Sequence, residues 1–485
     1  MFGPILEPNL EEEPKSTMII KAEKEEEPVD IILKSLGNVN KYSIFILISM
    51  AFLWTLGALP MMISAFMMEK NYPRNISISI IDEFHLHGSN EYLTVWIASA
   101  YMFGCMVGGT IFPSLSDFYG RKHIVFITTF GMGFFGCVSA FTHNIYFFLF
   151  CRFSQGLFLP GLITVNWILA YESVTPRVRA YLALVFGIFW VCGYCLISPM
   201  AYYIPNWRVL MFVSSAPSVL FALIIYFTIP ESLHFLIHQK NNDGVAKWLE
   251  TAQKVCNKKI DYDVCELIQE SNKPFPKNRV AEEDEISNIS NVRSFILTHK
   301  VLIVQIVVFT LLLLTDTLIY YALSFFSTNL SGNMYISYAL SGLVEVPSYI
   351  VAPYLLDRLG RKGLIIILHI VAGLDLFVGV FIGPEHELAY LIIWLIGKFC
   401  ISCTFTSIFV YGSEIFPTSI RSVTLGGCEV AAKIGGILAP YSKLLSPAIS
   451  ISIFASLSIL AAFSTFLLPE TKVKKSPKNK LIAHI

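Results

Sequence analysis

The chain has 485 residues, of which 55% are hydrophobic and 14% charged, with 35 Lys+Arg set against 35 Asp+Glu. A formal net charge of zero excludes a general nucleic-acid surface, which needs a basic excess. Mean hydropathy of +0.62 excludes the two or three soluble domains that this length would otherwise suggest and leaves an all-α polytopic membrane protein.

In chain order, residues 1–28 are acidic and repeat E-E-E-P at Glu11 and Glu25, a composition that cannot bury enough apolar surface to fold alone. No basic stretch followed by a short apolar core and a cleavage site is present, so no cleaved signal peptide is expected. Val29 to Lys41 is expected to form a short helix against the membrane surface. A helix needs about 20 apolar residues to cross a hydrocarbon core of about 30 Å. Twelve segments qualify: 42–68, 93–112, 123–142, 145–170, 180–202, 208–229, 300–326, 334–356, 363–383, 388–412, 422–445 and 447–468. They divide the chain into a tail and pre-helix (1–41), a six-helix bundle (42–230), a linker (231–299), a second six-helix bundle (300–468) and a basic tail (469–485). In the linker, Val245, Trp248, Leu249 and Ala252 recur at helical spacing, which predicts an amphipathic helix docked under the bundle.

Lys and Arg cluster in the short loops at Arg121, Lys122, Arg177, Arg179, Arg358, Arg361, Lys362 and Arg421, whereas the loops near His143, Asn329 and Pro384 carry none. By the positive-inside rule both termini are cytoplasmic. The sequons at Asn75 and Asn329 then lie outside, where they can accept glycans, and the one at Asn288 lies inside. Ten cysteines fall in apolar segments or the linker, none between Glu69 and Tyr92, so no disulfide framework is expected. Cys192 with Cys195 and Cys400 with Cys403 have C-x-x-C spacing but sit inside helices without further metal-type ligands, and are read as packing residues.

Motifs recur at a nearly fixed offset. S-L-S-D-F-Y-G-R-K around Asp117 returns as Y-L-L-D-R-L-G-R-K around Asp357, 240 residues later; Y-E-S-V-T-P-R-V-R at Glu172 returns as S-E-I-F-P-T-S-I-R at Glu414, 242 residues later; P-E-S at Pro230 returns as P-E-T at Pro469. Two homologous six-helix halves follow from this. Asp117, Arg121, Glu172 and Arg179, with their counterparts Asp357, Arg361, Glu414 and Arg421, are candidate gating residues, since halves rocking about a midplane site are a common scheme of secondary transport. Ion pairs that only end helices are the alternative.

In Y-G-S-E-I-F-P-T-S-I-R-S-V-T-L-G-G-C-E-V-A-A-K-I-G-G-I-L-A-P-Y, from Tyr411 to Tyr441, residues Gly426, Glu429, Lys433 and Gly436 form one helical stripe. Two charges on one intramembrane face are too costly for lipid and must look inward, toward a ligand or, as the alternative, in an intrahelical Glu429–Lys433 ion pair that only packs helices. Lys398 and Lys433 both fall near the midplane at about 1.5 Å of rise per residue. Lys398 shares its stripe with Ser402, Phe405 and Phe409; segment seven carries Asp316 and Tyr320 on one face with Tyr321 beside them, and Trp190 and Tyr194 lie on segment five. Aromatic walls suit organic cations, which gain about 0.5 to 2 kcal/mol on a ring face. Candidate substrate-binding residues are therefore Lys433, Glu429, Lys398, Phe405, Asp316, Tyr320, Tyr321 and Trp190. Glu345 and Asp375 also lie deep in apolar segments and are candidates for a coupling proton.

The D-x-x-G-R-K loops, the paired E-x-x-x-x-x-x-R loops and the P-E-S and P-E-T ends resemble the major facilitator superfamily. More narrowly, L-S-G-L-V-E-V-P-S-Y from Leu340, G-K-F from Gly397 and S-E-I-F-P-T-S-I-R followed by I-G-G-I-L-A-P-Y resemble the organic cation, carnitine and organic anion transporters, over about Val29 to Lys472. The resemblance implies a multi-pass solute carrier of the plasma membrane, or of an intracellular vesicle. It implies a small organic ion as substrate, a coupling ion or counter-substrate as partner, and no cofactor. Cation-selective members tend to have Asp where Lys433 stands, and anion and carnitine members a basic residue, which favours a carboxylate-bearing substrate; Glu429 and Asp316 keep a zwitterion or a cation open. The large cysteine-rich external domain usual in those transporters is replaced here by about twenty residues. The alternative is a non-transporting, ligand-sensing or vesicle-type relative. No Walker motif is present, and H-L-H at His85 has no further ligands, so an enzyme is not expected.

Overall fold

The computed structural model describes residues 28–37, 39–67, 79–258, 299–330, 332–382, 385–417 and 420–471. Twelve of its helices are long and apolar enough to cross a membrane, and each overlaps one of the twelve expected segments. The first half runs α1 (Pro28–Ser35), α2 (Lys41–Met67), α3 (Ile80–Glu83), α4 (Tyr92–Tyr119), α5 (Arg121–Ser139), α6 (Ile145–Ser173), α7 (Leu182–Tyr203) and α8 (Trp207–Thr228). Two connecting helices, α9 (Leu233–His238) and α10 (Asn242–Cys256), follow. The second half runs α11 (Lys300–Phe326), α12 (Met334–Leu359), α13 (Arg361–Ile382), α14 (Glu387–Ile415), α15 (Arg421–Leu438) and α16 (Pro447–Thr465).

Helix is the state that satisfies every backbone group of an apolar run in lipid, and the starts are set by caps. Asn144, Asn206, Asn333 and Ser446 accept from the first backbone N–H groups of α6, α8, α12 and α16. Close helix approach is set by small residues. A Cβ at Gly156 of α6 would stand 1.9 Å from the Tyr101 carbonyl oxygen of α4, so this crossing admits only glycine.

The halves form two six-helix bundles that meet along two seams, α4 with α15 and α7 with α12. At the end away from Arg121 and Arg361 the seams are closed. Ser99 donates to the Ile437 carbonyl at 2.9 Å, Ser198 to that of Tyr335 at 2.7 Å and Tyr338 to that of Met62 at 3.3 Å, while Phe66 packs on the rings of both Tyr335 and Tyr338. Toward Arg121 and Arg361 the α4–α15 seam opens. A Cβ at Gly436 would meet the Met102 sulfur at 3.2 Å, whereas one at Gly426, three turns nearer the open end, would meet nothing within 4 Å.

The apolar residues Val29, Ile32 and Leu33 of α1 are buried in protein, and Asp30 of the same helix takes both amino groups of Arg179, at 2.7 and 3.1 Å. The α10 residues Val245, Trp248, Leu249 and Ala252 are the buried face of that helix, and Trp248 meets Tyr42 of α2 edge-on at 5.6 Å. Asn329 is exposed at the closed end; Asn75 and Asn288 lie outside the described residues.

Candidate functional site

At the open end the repeated motifs build the same structure twice. Gly120 and Gly360 break the chain between consecutive spans at φ of 92° and 83°, a region that glycine reaches without strain. The next residue is then held by a carboxylate from the end of the sixth or twelfth span: Arg121 N–H donates to Glu231 at 3.0 Å and Arg361 N–H to Glu470 at 3.1 Å. These carboxylates cap the exposed N–H groups and the positive end of the following helix. Burial pushes the Glu231 carboxyl above its ordinary value, although the N–H groups of Ser232, Lys122 and Arg121 favour its charge.

The side chains above repeat as well. Arg121 pairs with Asp117 at 3.1 Å and Glu172 at 3.4 Å, and Arg361 pairs with Asp357 at 3.9 Å and Glu414 at 2.8 Å. Ser232 donates to Glu172 as Thr471 does to Glu414. Each cluster is built within its own bundle. Arg179 is bound to Asp30, and Arg421 donates to the Phe416 carbonyl at 3.3 Å.

Midway along the helices a polar network crosses between bundles. Lys398 of α14 lies 3.1 Å from a Glu345 oxygen of α12, both fully buried. The ammonium also donates to Ser324 at 2.5 Å and the Tyr320 carbonyl at 3.2 Å, and sits 3.4 Å from the centroid of the Tyr320 ring. The second Glu345 oxygen accepts from the hydroxyls of Tyr320, 3.1 Å, and Tyr349, 3.3 Å. Trp190 of α7 reaches over from the first bundle and donates to the Tyr320 oxygen at 3.1 Å. Phe405 stacks on Tyr320 with centroids 5.8 Å apart. A desolvated pair is sustained when its remaining hydrogen-bonding capacity is met. Here Ser324 and the Tyr320 carbonyl serve the ammonium, Tyr320 and Tyr349 serve one carboxylate oxygen, and Glu345 Oε1 is left to the Lys398 charge alone.

Lys433 and Glu429 form a second pair, 3.3 Å apart on α15, whose side chains keep 22% and 45% exposure; of the two pairs this one is the more exposed. Its stripe continues to Gly436, where Tyr321 and Met102 close the wall. Asp316 joins neither group. Its Oδ1 lies 3.1 Å from His369 Nε2 of α13, with both side chains fully buried. The three intramembrane charges that the spacing groups together thus sit in three separate pairings.

Two functional-type residues were passed over. His369, alone in the apolar run I-L-H-I-V, was a visible signal, as was Arg152 in segment four. Arg152 is fully buried and satisfied without a carboxylate, donating to the Pro60 carbonyl at 2.8 Å, Gln155 at 2.9 Å, Ser64 at 2.5 Å and the Ile97 carbonyl at 3.3 Å, with its guanidinium over the Tyr101 ring.

Residues 45–478 match the family described as "Sugar (and other) transporter". A Caenorhabditis elegans protein named for transport is 35% identical over 456 residues, 93% of this chain and 90% of its own length. The organic cation transporter protein of Drosophila melanogaster is 29% identical over 406 residues, 83% of this chain and 73% of its own. In fold, the chain resembles the inward open conformation of the xylose transporter XylE from E. coli, with a TM-score of 0.67, 18% identity and coverage of 89% and 98% of the two chains.

Proposed function

The chain belongs to the sugar (and other) transporter family within the major facilitator superfamily, a secondary transporter, and from that premise we propose that it moves small organic ions bearing both signs of charge by alternating access. The observation that carries this is the more exposed Lys433–Glu429 pair beside the sealed Lys398–Glu345 pair. A solute entering along the α15 stripe meets Lys433 with its anionic group and Glu429 with its cationic one. Tyr321 bounds it on the inner wall, and Tyr320, Phe405 and Trp190 are the aromatic faces behind. A Drosophila relative named as an organic cation transporter supports an organic ion over a sugar.

The basic-loop asymmetry supports cytoplasmic termini, so the seam that opens toward Arg121 and Arg361 faces the cytoplasm; the resemblance to organic ion transporters supports the plasma membrane, with a vesicle membrane as the alternative. In the opposite state those ends close, and the clusters of Asp117, Arg121 and Glu172 and of Asp357, Arg361 and Glu414 keep each bundle's end rigid as they meet, with Arg179 held by Asp30 and Arg421 by the Phe416 carbonyl. A coupling ion or counter-substrate returns the empty carrier.

Purified protein in liposomes, offered labelled tetraethylammonium, an aromatic carboxylate and carnitine, tests the reading. The wild type takes up the zwitterion. Lys433→Ala inserts normally and loses about tenfold in uptake of carboxylate-bearing solutes, the scale of one charge-assisted hydrogen bond. Binding without flux, or identical kinetics of the variant across all three probes, overturns it.

A further inference from the structure

The Asp316–His369 pair belongs to none of the clusters above, and its hydrogen count does not close without an added proton. His369 Nδ1 lies 2.9 Å from the Ile365 carbonyl oxygen. A carbonyl oxygen only accepts, so Nδ1 carries the hydrogen. In a neutral ring of that tautomer Nε2 is a bare acceptor, 3.1 Å from Asp316 Oδ1. An ionised carboxylate oxygen also only accepts.

Two acceptors at this distance, fully buried, repel strongly. One proton between them makes the contact attractive, whether it rests on the ring as imidazolium facing carboxylate or on Asp316 as an acid facing a neutral ring; the proton belongs to the pair. Further support for the unprotonated state is scant. Oδ1 accepts one hydrogen bond from Thr404 at 3.1 Å, and neither Asp316 Oδ2 nor His369 Nε2 has an aligned hydrogen-bond partner.

The charged surroundings are otherwise committed, except Asp375, whose Oδ2 is buried without a hydrogen-bond partner. Along α11, Tyr320 hydrogen-bonds Glu345 and Tyr321 stacks with Phe325. On α14, Lys398 is paired with Glu345 of α12, whose Tyr349 joins the same carboxylate, and the Cys400 and Cys403 thiols are buried. Asp375 of α13 lies against Gly397. The Glu429–Lys433 pair occupies α15, and α16 has no ionisable residue, only Ser458, which donates to the His369 carbonyl at 2.8 Å.

We infer that Asp316 and His369 form a proton-binding site that couples solute movement to a proton, a step that rests on the carrier function proposed above. The geometry joins site and cargo. Asp316 is one turn from Tyr320 on α11, and Thr404 is six residues from Lys398 on α14. Loss of the proton turns the α11–α13 contact repulsive and displaces α11, which carries Tyr320 and Ser324 of the Lys398 network. No atom besides the proton is exchanged, and its source is the water on whichever side the carrier is open.

The test uses the full chain in liposomes containing a trapped pH dye, with carnitine and tetraethylammonium as probes. Addition of the transported probe is expected to move protons with it. An imposed gradient raises accumulation by about tenfold per pH unit for one proton per cycle. Asp316→Asn and His369→Gln are expected to keep probe-for-probe exchange and to lose both the dye response and the gradient effect. In detergent, a base titration of wild type is expected to release one proton more than Asp316→Asn.

Net uptake by wild type without proton movement overturns the inference and leaves the carrier intact. A titration that does not distinguish the two proteins overturns it as well. Absence of flux in every mode, for every probe, sinks the carrier function itself and the inference with it. The wild-type dye measurement decides the matter even where a variant fails to fold.

Discussion

Trp190 of the first bundle donates its indole N–H to the hydroxyl oxygen of Tyr320 in the second, 3.1 Å away. That hydroxyl in turn donates to Glu345 at 3.1 Å, so the buried ion pair of one bundle is tied to a ring of the other. A solute that disturbs Glu345 or Lys398 therefore loosens a link between bundles, which connects binding to the rocking of the halves.

Trp190→Phe keeps a ring at this position and removes the donor. Its expected effect is on the conformational step. A neutral hydrogen bond is worth about 1 kcal/mol, so maximal uptake rate should change by about fivefold, with the half-saturating concentration nearly unchanged. A large rise in half-saturation with an unchanged maximal rate would place Trp190 in solute binding alone.

Glu345→Gln and Lys398→Met each leave one charge unpaired where no solvent reaches. Each single change should destabilise the protein by about 3 to 5 kcal/mol. The double variant should recover most of the thermal stability lost by either one, because no lone charge remains, and should stay impaired in transport. Thermal melts in detergent alongside uptake check both halves of this expectation. Additive losses of stability would show that the two side chains act independently.

At the closed end, Glu83 of α3 holds Arg208 of α8 through bonds of 2.6 and 3.0 Å and accepts from the Trp207 indole at 2.7 Å. Burial alone would raise the Glu83 carboxyl, but these bonds and the Arg208 charge outweigh it and leave the group below its ordinary value. A carboxyl lowered in the folded state adds stability that is fully present above the unfolded value, and that stability is lost as pH falls through the lowered folded value. Protease resistance of residues 79–91 should therefore persist through mildly acid conditions and fail only below the usual carboxylate range. Glu83→Gln should remove that protection near neutral pH, and an unchanged digestion profile would count against the tether.

The spans and the twofold repeat were legible because each rests on local information. Apolar runs state their own solvent, and motifs 240 residues apart state a duplicated backbone, although the capping of Arg121 by Glu231 and of Arg361 by Glu470 is visible only in the structure. The buried face of α10 was legible for the same reason: Val245, Trp248, Leu249 and Ala252 have only one way to share a side. Partner choice was not local. Asp316 and Tyr320 share a helical face in projection, yet the carboxylate turns to His369 on α13, and helix periodicity contains no information about which neighbouring helix fills a given angle. Glu345, noted for its depth alone, proved to be the counter-charge of Lys398. Helix α1 carried an amphipathic pattern that fits lipid headgroups and protein equally; its pairing of Asp30 with Arg179 is a tertiary contact that the pattern does not contain.

The two capping carboxylates have a mechanical consequence. Because Glu231 and Glu470 fasten the end of each bundle's last helix to the start of its third, either half behaves as a closed hoop rather than a row of rods. Torque applied at its rim is transmitted as rotation of the whole hoop.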